Sequence, residues 1–280
     1  METAAACYRH PERSAGVSCQ RCERPICPGC MVQASVGFQC PECAHQRTQR
    51  VVTSRQMWST GTSNLIATKV IIGLNVAAYF LMVAVGGSAS ASGSVYEEGA
   101  LYGPFVANGE WWRLVTGGFL HANLMHLGLN MFLLWLLSKE LEPTLGTVRY
   151  VTLYLVSLLG SSLAVMMFSF DAPTLGASGA VYGLMGALVA LQLRAKQNPW
   201  NSGIGGLIVL NLVLSFVVPG ISWQGHIGGL LAGAAAGAIL QPLRWPQQQA
   251  LVRTSAVWAI GGLIAVAAVI AANAGMPQYY

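Results

Sequence analysis

The amino-acid sequence predicts an all-α polytopic membrane protein preceded by a small metal-bound head. Three observations predict it. Of the 280 residues, 54% are hydrophobic and only 9% charged, where soluble domains carry roughly 25% charged residues. Apolar runs long enough to cross a bilayer, or nearly so, recur from about residue 65 to the C-terminus. All seven cysteines lie before the first of those runs.

The head comes first, residues 1–45. Its metal-ligand pairs are Cys7-x-x-His10, Cys19-x-x-Cys22, Cys27-x-x-Cys30 and Cys40-x-x-Cys43. A two-residue spacer lets both side chains of a pair reach one tetrahedral ion. Four pairs supply eight ligands, enough for two closed zinc sites. So short a segment cannot build an adequate core, so bound metal would supply its folding free energy. Cysteines gathered in a polar head point to metal rather than to a disulfide framework. The order of the pairs resembles a B-box-type cross-braced zinc finger. That resemblance implies interleaved sites, Cys7, His10, Cys27 and Cys30 for one Zn²⁺ and Cys19, Cys22, Cys40 and Cys43 for the other. The spacing by itself also allows sequential pairing, or His45 in place of a cysteine. No interleaving of aromatic and basic residues supports nucleic-acid binding, so the head is expected to be structural or to bind a cytosolic protein partner.

Residues 46–63 form a polar, basic linker, and the membrane body follows. The apolar runs lie at about 65–85, 120–137, 150–170, 177–193, 203–219, 225–241 and 256–273. A bilayer core of ~30 Å takes about 20 helical residues, so the shorter runs should be surrounded by other helices, with 177–193 and 225–241 central. The first run begins too late for a cleavable signal peptide. Basic residues set the orientation. With the N-terminus in the cytoplasm, the inner segments hold Arg9 to Arg55, Lys139 and Arg149, Arg194 and Lys196, and Arg244 and Arg253. Arg113 falls outside with Glu97, Glu98, Glu110 and Asp171. This satisfies the positive-inside rule and leaves the C-terminus outside. Segment 86–118 is then a long external loop.

Polar residues within a membrane are costly and functional by default, and three spots carry them. The first is His121-Ala-Asn-Leu-Met-His126-Leu-Gly-Leu-Asn130. His126 and Asn130 share a helix face at spacing i, i+4, while His121 on the same helix would point about 140° away. The second is Gly176-Ala-Ser178-Gly179, which opens a helix. A serine there is ordinarily a cap, but a nucleophile needs the same openness, and the unsatisfied N–H of a helix start can face an oxyanion. The third is Gly225-His226 with glycines at 229, 233 and 237. Small-xxx-small spacing permits close helix contact. If the Gly179/Gly183 face meets the Gly229/Gly233 face, Ser178 and His226 come within hydrogen-bond reach.

Together, His121-x4-His126-x3-Asn130, Gly176-x-Ser178-Gly179 and His226-x-x-Gly229 resemble the motifs of rhomboid intramembrane serine proteases, in the same order. Trp112-Arg113 and Glu142-x3-Gly146 match as well. The resemblance covers roughly residues 64–241. It implies a six-helix core, residues 64–243, followed by an extra seventh transmembrane helix and tail, 244–280. It implies a dyad in which Ser178 attacks the peptide carbonyl and His226 shuttles the proton. His126, Asn130 and the Ser178 N–H would hold the oxyanion, with His121 a further candidate and Tyr182 stacked beside His226. Trp112, Arg113 and Glu142 would be structural. Gly225 stands where family members often carry alanine. No acidic third member of a triad is apparent, so packing against Tyr182 would have to orient His226. The implied substrates are single-pass transmembrane proteins in the lipid bilayer, the implied location is a bacterial plasma membrane, and catalysis needs no cofactor.

Other readings fit less well. A catalytically silent rhomboid-like protein acting in membrane-protein quality control is the nearest, but such proteins lack the serine or the histidine, and both are present. A membrane metalloprotease would carry H-E-x-x-H, which is absent. A transporter would show repeated half-motifs, and the body shows none.

Overall fold

The computed structural model describes residues 5–34, 37–45, 65–86, 92–241 and 247–276. The basic linker of residues 46–63 lies outside them. The chain divides into two compact units, residues 1–58 and 59–280.

The head consists of two short antiparallel hairpins and a closing turn of helix. Strand β1 (Val17–Ser18) pairs with β2 (Pro25–Ile26), and β3 (Val32–Gln33) with β4 (Phe38–Gln39). Helix α1 spans Pro41–His45. Its interior is made almost wholly of cysteine: Cys7, Cys19, Cys27, Cys30 and Cys40 are buried together with Ile26. A unit this small has no other core to hold it.

The body is all-α. Helix α2 spans Ile66–Gly86. The loop after it carries three short helices, α3 (Ser94–Gly99), α4 (Gly103–Ala107) and α5 (Arg113–Thr116). Then come α6 (Leu124–Leu145), α7 (Thr147–Phe168), α8 (Ser178–Arg194), α9 (Ile204–Val217), α10 (Trp223–Leu240) and α11 (Gln247–Gly275). Each of the seven apolar runs has its helix.

Among the described residues, three of these helices, α2, α7 and α11, are long and apolar enough to cross a membrane alone. A fourth span forms if the segment Arg113–Phe119 counts with α6 across its 96° bend. The remainder fall short for physical reasons. Helix α8 has 17 residues and α9 has 14, while α10 is diluted by glycine and opens with Trp223, Gln224 and His226. Helix α8 answers by being sheathed in protein, since Gly179 through Leu188 are all buried. Helices α8 and α10 are central, packed on each other and on α7.

Two buried polar groups order the loops around this core. Arg113 is 3% exposed. It donates to the carbonyls of Glu97 (2.7 Å) and Ala100 (2.9 Å) and pairs with the Glu110 carboxylate (2.7 Å), stapling the loop between α2 and α6. The Glu142 carboxylate is 2% exposed. It accepts from the backbone N–H groups of Ala67 (2.9 Å) and Thr68 (3.0 Å) and from the Thr68 hydroxyl (2.5 Å). A carboxylate there satisfies orphan donors at the start of α2 and faces the positive end of its dipole. Helix α11 lies along α7, burying Val257, Ala268 and Ala272, so the seventh helix is a packing element of the bundle.

Candidate active site and metal centres

Ser178 is the first residue of α8. The strand leading to it is held on both sides: Thr174 exchanges backbone hydrogen bonds with Leu101, and the Gly176 N–H donates to the Gly117 carbonyl at 2.9 Å. Gly176 sits at φ +125°, a conformation open to glycine and strained for other residues. The close approach explains the residue as much as the angle does. A Cβ there would lie 2.7 Å from Cε1 and 2.8 Å from Nε2 of His126.

His226 stands in the first turn of α10, whose N-cap Ser222 accepts from the Gly225 N–H. The two helices meet backbone to backbone. A Cβ at Gly229 would overlap the Gly179 carbonyl, and one at Gly233 the Gly183 carbonyl. With no side chain to hold α8 and α10 apart, the Ser178 hydroxyl reaches Nε2 of His226 at 2.8 Å, a normal hydrogen bond. The His226 ring stacks on Tyr182, one turn further along α8, with centroids 4.1 Å apart and planes 13° from parallel.

His126 and Asn130 flank this pair on α6. The His126 side chain lies against Gly176, and its Nδ1 receives the Ala122 N–H at 3.4 Å. That acceptor role leaves the proton on Nε2, the nitrogen nearest Gly176. The Asn130 amide donates back to the His126 carbonyl at 3.0 Å and keeps a second N–H. His121 is placed differently from the expected helix position. Asn123 caps α6 by accepting from the His126 N–H at 2.9 Å, so the helix starts at Leu124 and His121 precedes it. Its ring is completely buried, edge-on to His126 at 5.1 Å. The signal was available, because asparagine before an apolar run is a preferred N-cap.

One residue of the constellation was not foreseen. Ser215 of α9 lies 2.6 Å from Nδ1 of His226, on the side of the ring away from Ser178. A lone hydroxyl in an apolar run gives little pattern, although Asn211 and Ser215 at i, i+4 were a polar pair inside a membrane segment.

In the head, the ligands gather as Cys7, His10, Cys27 and Cys30 and as Cys19, Cys22, Cys40 and Cys43, each set with its ligand atoms within 4.8 Å of one another. The interleaved arrangement is therefore the one formed; the side chain of His45 lies outside the described residues. Zinc bonds of about 2.3 Å to sulfur and 2.0–2.1 Å to nitrogen give tetrahedral edges of about 3.8 Å between sulfurs and about 3.5 Å between nitrogen and sulfur. The structure has 3.8 Å for Cys22–Cys40, and 3.3, 3.5 and 4.0 Å from His10 Nδ1 to Cys30, Cys27 and Cys7. Burial pushes the Cys7 and Cys19 thiols up, but backbone N–H groups outweigh it and bring both down to about 6. Burial and the neighbouring sulfurs push Cys30 up to about 11, and hydrogen bonding to Cys40 together with burial takes Cys43 to about 12. Ionising one sulfur thus penalises the next, a penalty a divalent cation removes. Both sets fit a metal ion.

Comparison with known proteins gives the same picture of the body. Residues 108–243 match the rhomboid domain. The chain is 35% identical over 176 residues to rhomboid protease GluP of Bacillus subtilis, an alignment covering 62% of this chain and 34% of that protein. It is 36% identical over 141 residues to the mitochondrial RHOMBOID-like protein 6 of Arabidopsis thaliana, covering 48% and 45%. It is 35% identical over 145 residues to rhomboid-like protease 3 of Toxoplasma gondii, covering 49% and 54%. The chain thus spans between about a third and about half the length of these relatives. Residues 108–243 of the chain thus carry a rhomboid domain.

Proposed function

We propose that the protein is a rhomboid-type intramembrane serine endopeptidase that cuts transmembrane segments of single-pass membrane proteins. The observation that carries this reading is the 2.8 Å contact of Ser178 Oγ with His226 Nε2 at the paired starts of two closely packed helices. Ser178 attacks the scissile carbonyl carbon as its proton passes to His226 Nε2. The developing oxyanion is met by the Ser178 N–H at the helix start, by Nε2–H of His126 and by the spare N–H of Asn130. The tetrahedral intermediate collapses to an acyl-enzyme as His226 returns the proton to the leaving amine. Water then repeats the sequence and frees Ser178. Tyr182 keeps the imidazole in plane throughout.

The head holds two structural zinc ions, one in each ligand set, which fix its fold and take no part in peptide cleavage. In this reading the head lies in the cytoplasm of a bacterium, on the side the positive-inside rule favours for the basic segments, and the catalytic ends of α8 and α10 lie near the outer surface. There water can enter, and the head is free to meet a cytosolic partner.

The test is cleavage of a model single-pass substrate by purified protein. Wild type should cut, and folded Ser178→Ala and His226→Ala variants should be silent. Cleavage surviving in Ser178→Ala would remove the serine from the chemistry.

A further inference from the structure

The proposed dyad leaves open what fixes the His226 ring so that its lone pair, rather than its N–H, faces Ser178. A histidine base works only in one tautomer, with hydrogen on Nδ1 and Nε2 bare. In many hydrolases a carboxylate enforces this. Here the neighbour of Nδ1 is the Ser215 hydroxyl at 2.6 Å.

Hydrogen-bond accounting around Ser215 assigns the proton. A serine hydroxyl has one hydrogen to give and two lone pairs to receive. Ser215 Oγ lies 2.8 Å from the Asn211 carbonyl one turn back on α9. A carbonyl can only accept, so the single Ser215 proton is committed there. Toward His226 the hydroxyl must then act as acceptor, and Nδ1 must be the donor. The second lone pair lies 3.2 Å from the Tyr182 hydroxyl. All three valences of Ser215 are therefore used, at a site 4% exposed. With Nδ1 protonated, the neutral ring presents a bare Nε2 to Ser178.

On this basis we propose that Ser215 is a positioning residue of the active site: its hydroxyl, locked by the Asn211 carbonyl, holds His226 in the Nδ1–H tautomer. The proposal rests on the protease reading for its consequence in rate, though not for its structural content. The arrangement serves both states of the base. When His226 takes the Ser178 proton, Nδ1–H still donates to Ser215 and that bond becomes charge-assisted and stronger. A neutral hydroxyl thus does for this ring what a buried carboxylate would do, without placing an anion in the membrane, where one is costly. It also ties together three helices, since Tyr182 comes from α8, Ser215 from α9 and His226 from α10.

The experiment has two readouts. The first is the tautomer of His226, followed by nitrogen-15 NMR of histidine-labelled protein in detergent at a pH where the ring is neutral, with His226→Ala identifying the resonances. Wild type should show Nδ1 protonated and Nε2 bare, and Ser215→Ala should move the ring toward the Nε2–H form. The second is cleavage kinetics. Ser215→Ala should lower kcat about 10- to 100-fold, the effect of one hydrogen bond to a group that becomes charged, and leave KM within about twofold. Ser215→Thr, which keeps the hydroxyl, should recover most of the loss. An Nε2–H tautomer in wild type would overturn the proposal, and so would an unchanged tautomer in Ser215→Ala. Equal loss in the alanine and threonine variants would show that side-chain shape, not the hydroxyl, is what matters, and would overturn it as well. If wild type cuts no substrate, the protease reading fails while the NMR result still decides the role of Ser215.

Discussion

The imidazole of His226 lies flat on the phenol ring of Tyr182, at 4.1 Å and 13°, and the same phenol hydroxyl reaches Ser215. Tyr182 therefore supports the proposed base in two ways, directly through its ring face and indirectly through the Ser215 hydroxyl beside Nδ1. The two contacts separate by mutation. Tyr182→Phe keeps the stack and should cost only a few-fold in kcat. Tyr182→Ala removes it and opens a gap beside the ring, and a stacked pair contributes about 0.5–1.5 kcal/mol beyond its buried area. The alanine variant should be slower than the phenylalanine variant by about 3- to 10-fold or more. Equal rates for the two would show that stacking does not orient the base.

Gly176 is predicted to tolerate no side chain. Gly176→Ala places a methyl within 3 Å of the His126 ring at a backbone angle that itself costs on the order of 1–3 kcal/mol outside glycine. His126 has to move, and with it a donor proposed for the oxyanion. Removing one such donor costs about 10²–10³ in kcat elsewhere, and a similar loss is expected here. Substrate affinity should change little. Full activity in Gly176→Ala would mean that the position of His126 is unimportant.

Glu142 should be a stability residue. Its carboxylate receives three hydrogen bonds from the first turn of α2. Glu142→Gln puts an NH₂ group where an acceptor was needed, and an unpaired buried donor costs about 1–3 kcal/mol. Thermal unfolding in detergent should shift down accordingly, while kcat of the folded fraction stays near wild type. A loss of kcat with unchanged unfolding would contradict this assignment.

The head should carry two metal ions per chain. Elemental analysis of protein purified without added chelator should find about two zinc ions, and Cys27→Ala or Cys40→Ala should each remove one. Because the interior of the head is its cysteines, stripping the metal should unfold it, seen as loss of dispersed amide signals from residues 5–45. A metal-free head that stays folded would exclude the structural role.

The helices were legible because each apolar run is long enough to leave no other structure, and the close contact of α8 with α10 because glycine recurs at the matching four-residue interval in both. The grouping of the head ligands was legible only through a resemblance, since spacing alone also allowed sequential pairing, or His45 in place of a cysteine. What the sequence hid depended on single side chains reaching across space. His121 looked like part of α6 because the apolar run begins before it, yet Asn123 captures the His126 N–H and starts the helix later. Ser215 was lost in an apolar stretch, since one hydroxyl alters no periodicity and its partner lies on another helix.

The glycine contacts between α8 and α10 carry one more consequence. Where side chains separate two helices, their spacing can breathe as rotamers change. Here Gly179 and Gly183 touch Gly229 and Gly233 through bare backbone, so nothing compressible lies between them. The two helices act as a fixed calliper, and the 2.8 Å gap between Ser178 and His226 is its setting. Changes in bilayer thickness or lateral pressure that tilt the rest of the bundle should leave that setting alone. In the proposed protease, the movement that admits a substrate would then fall to other parts of the chain.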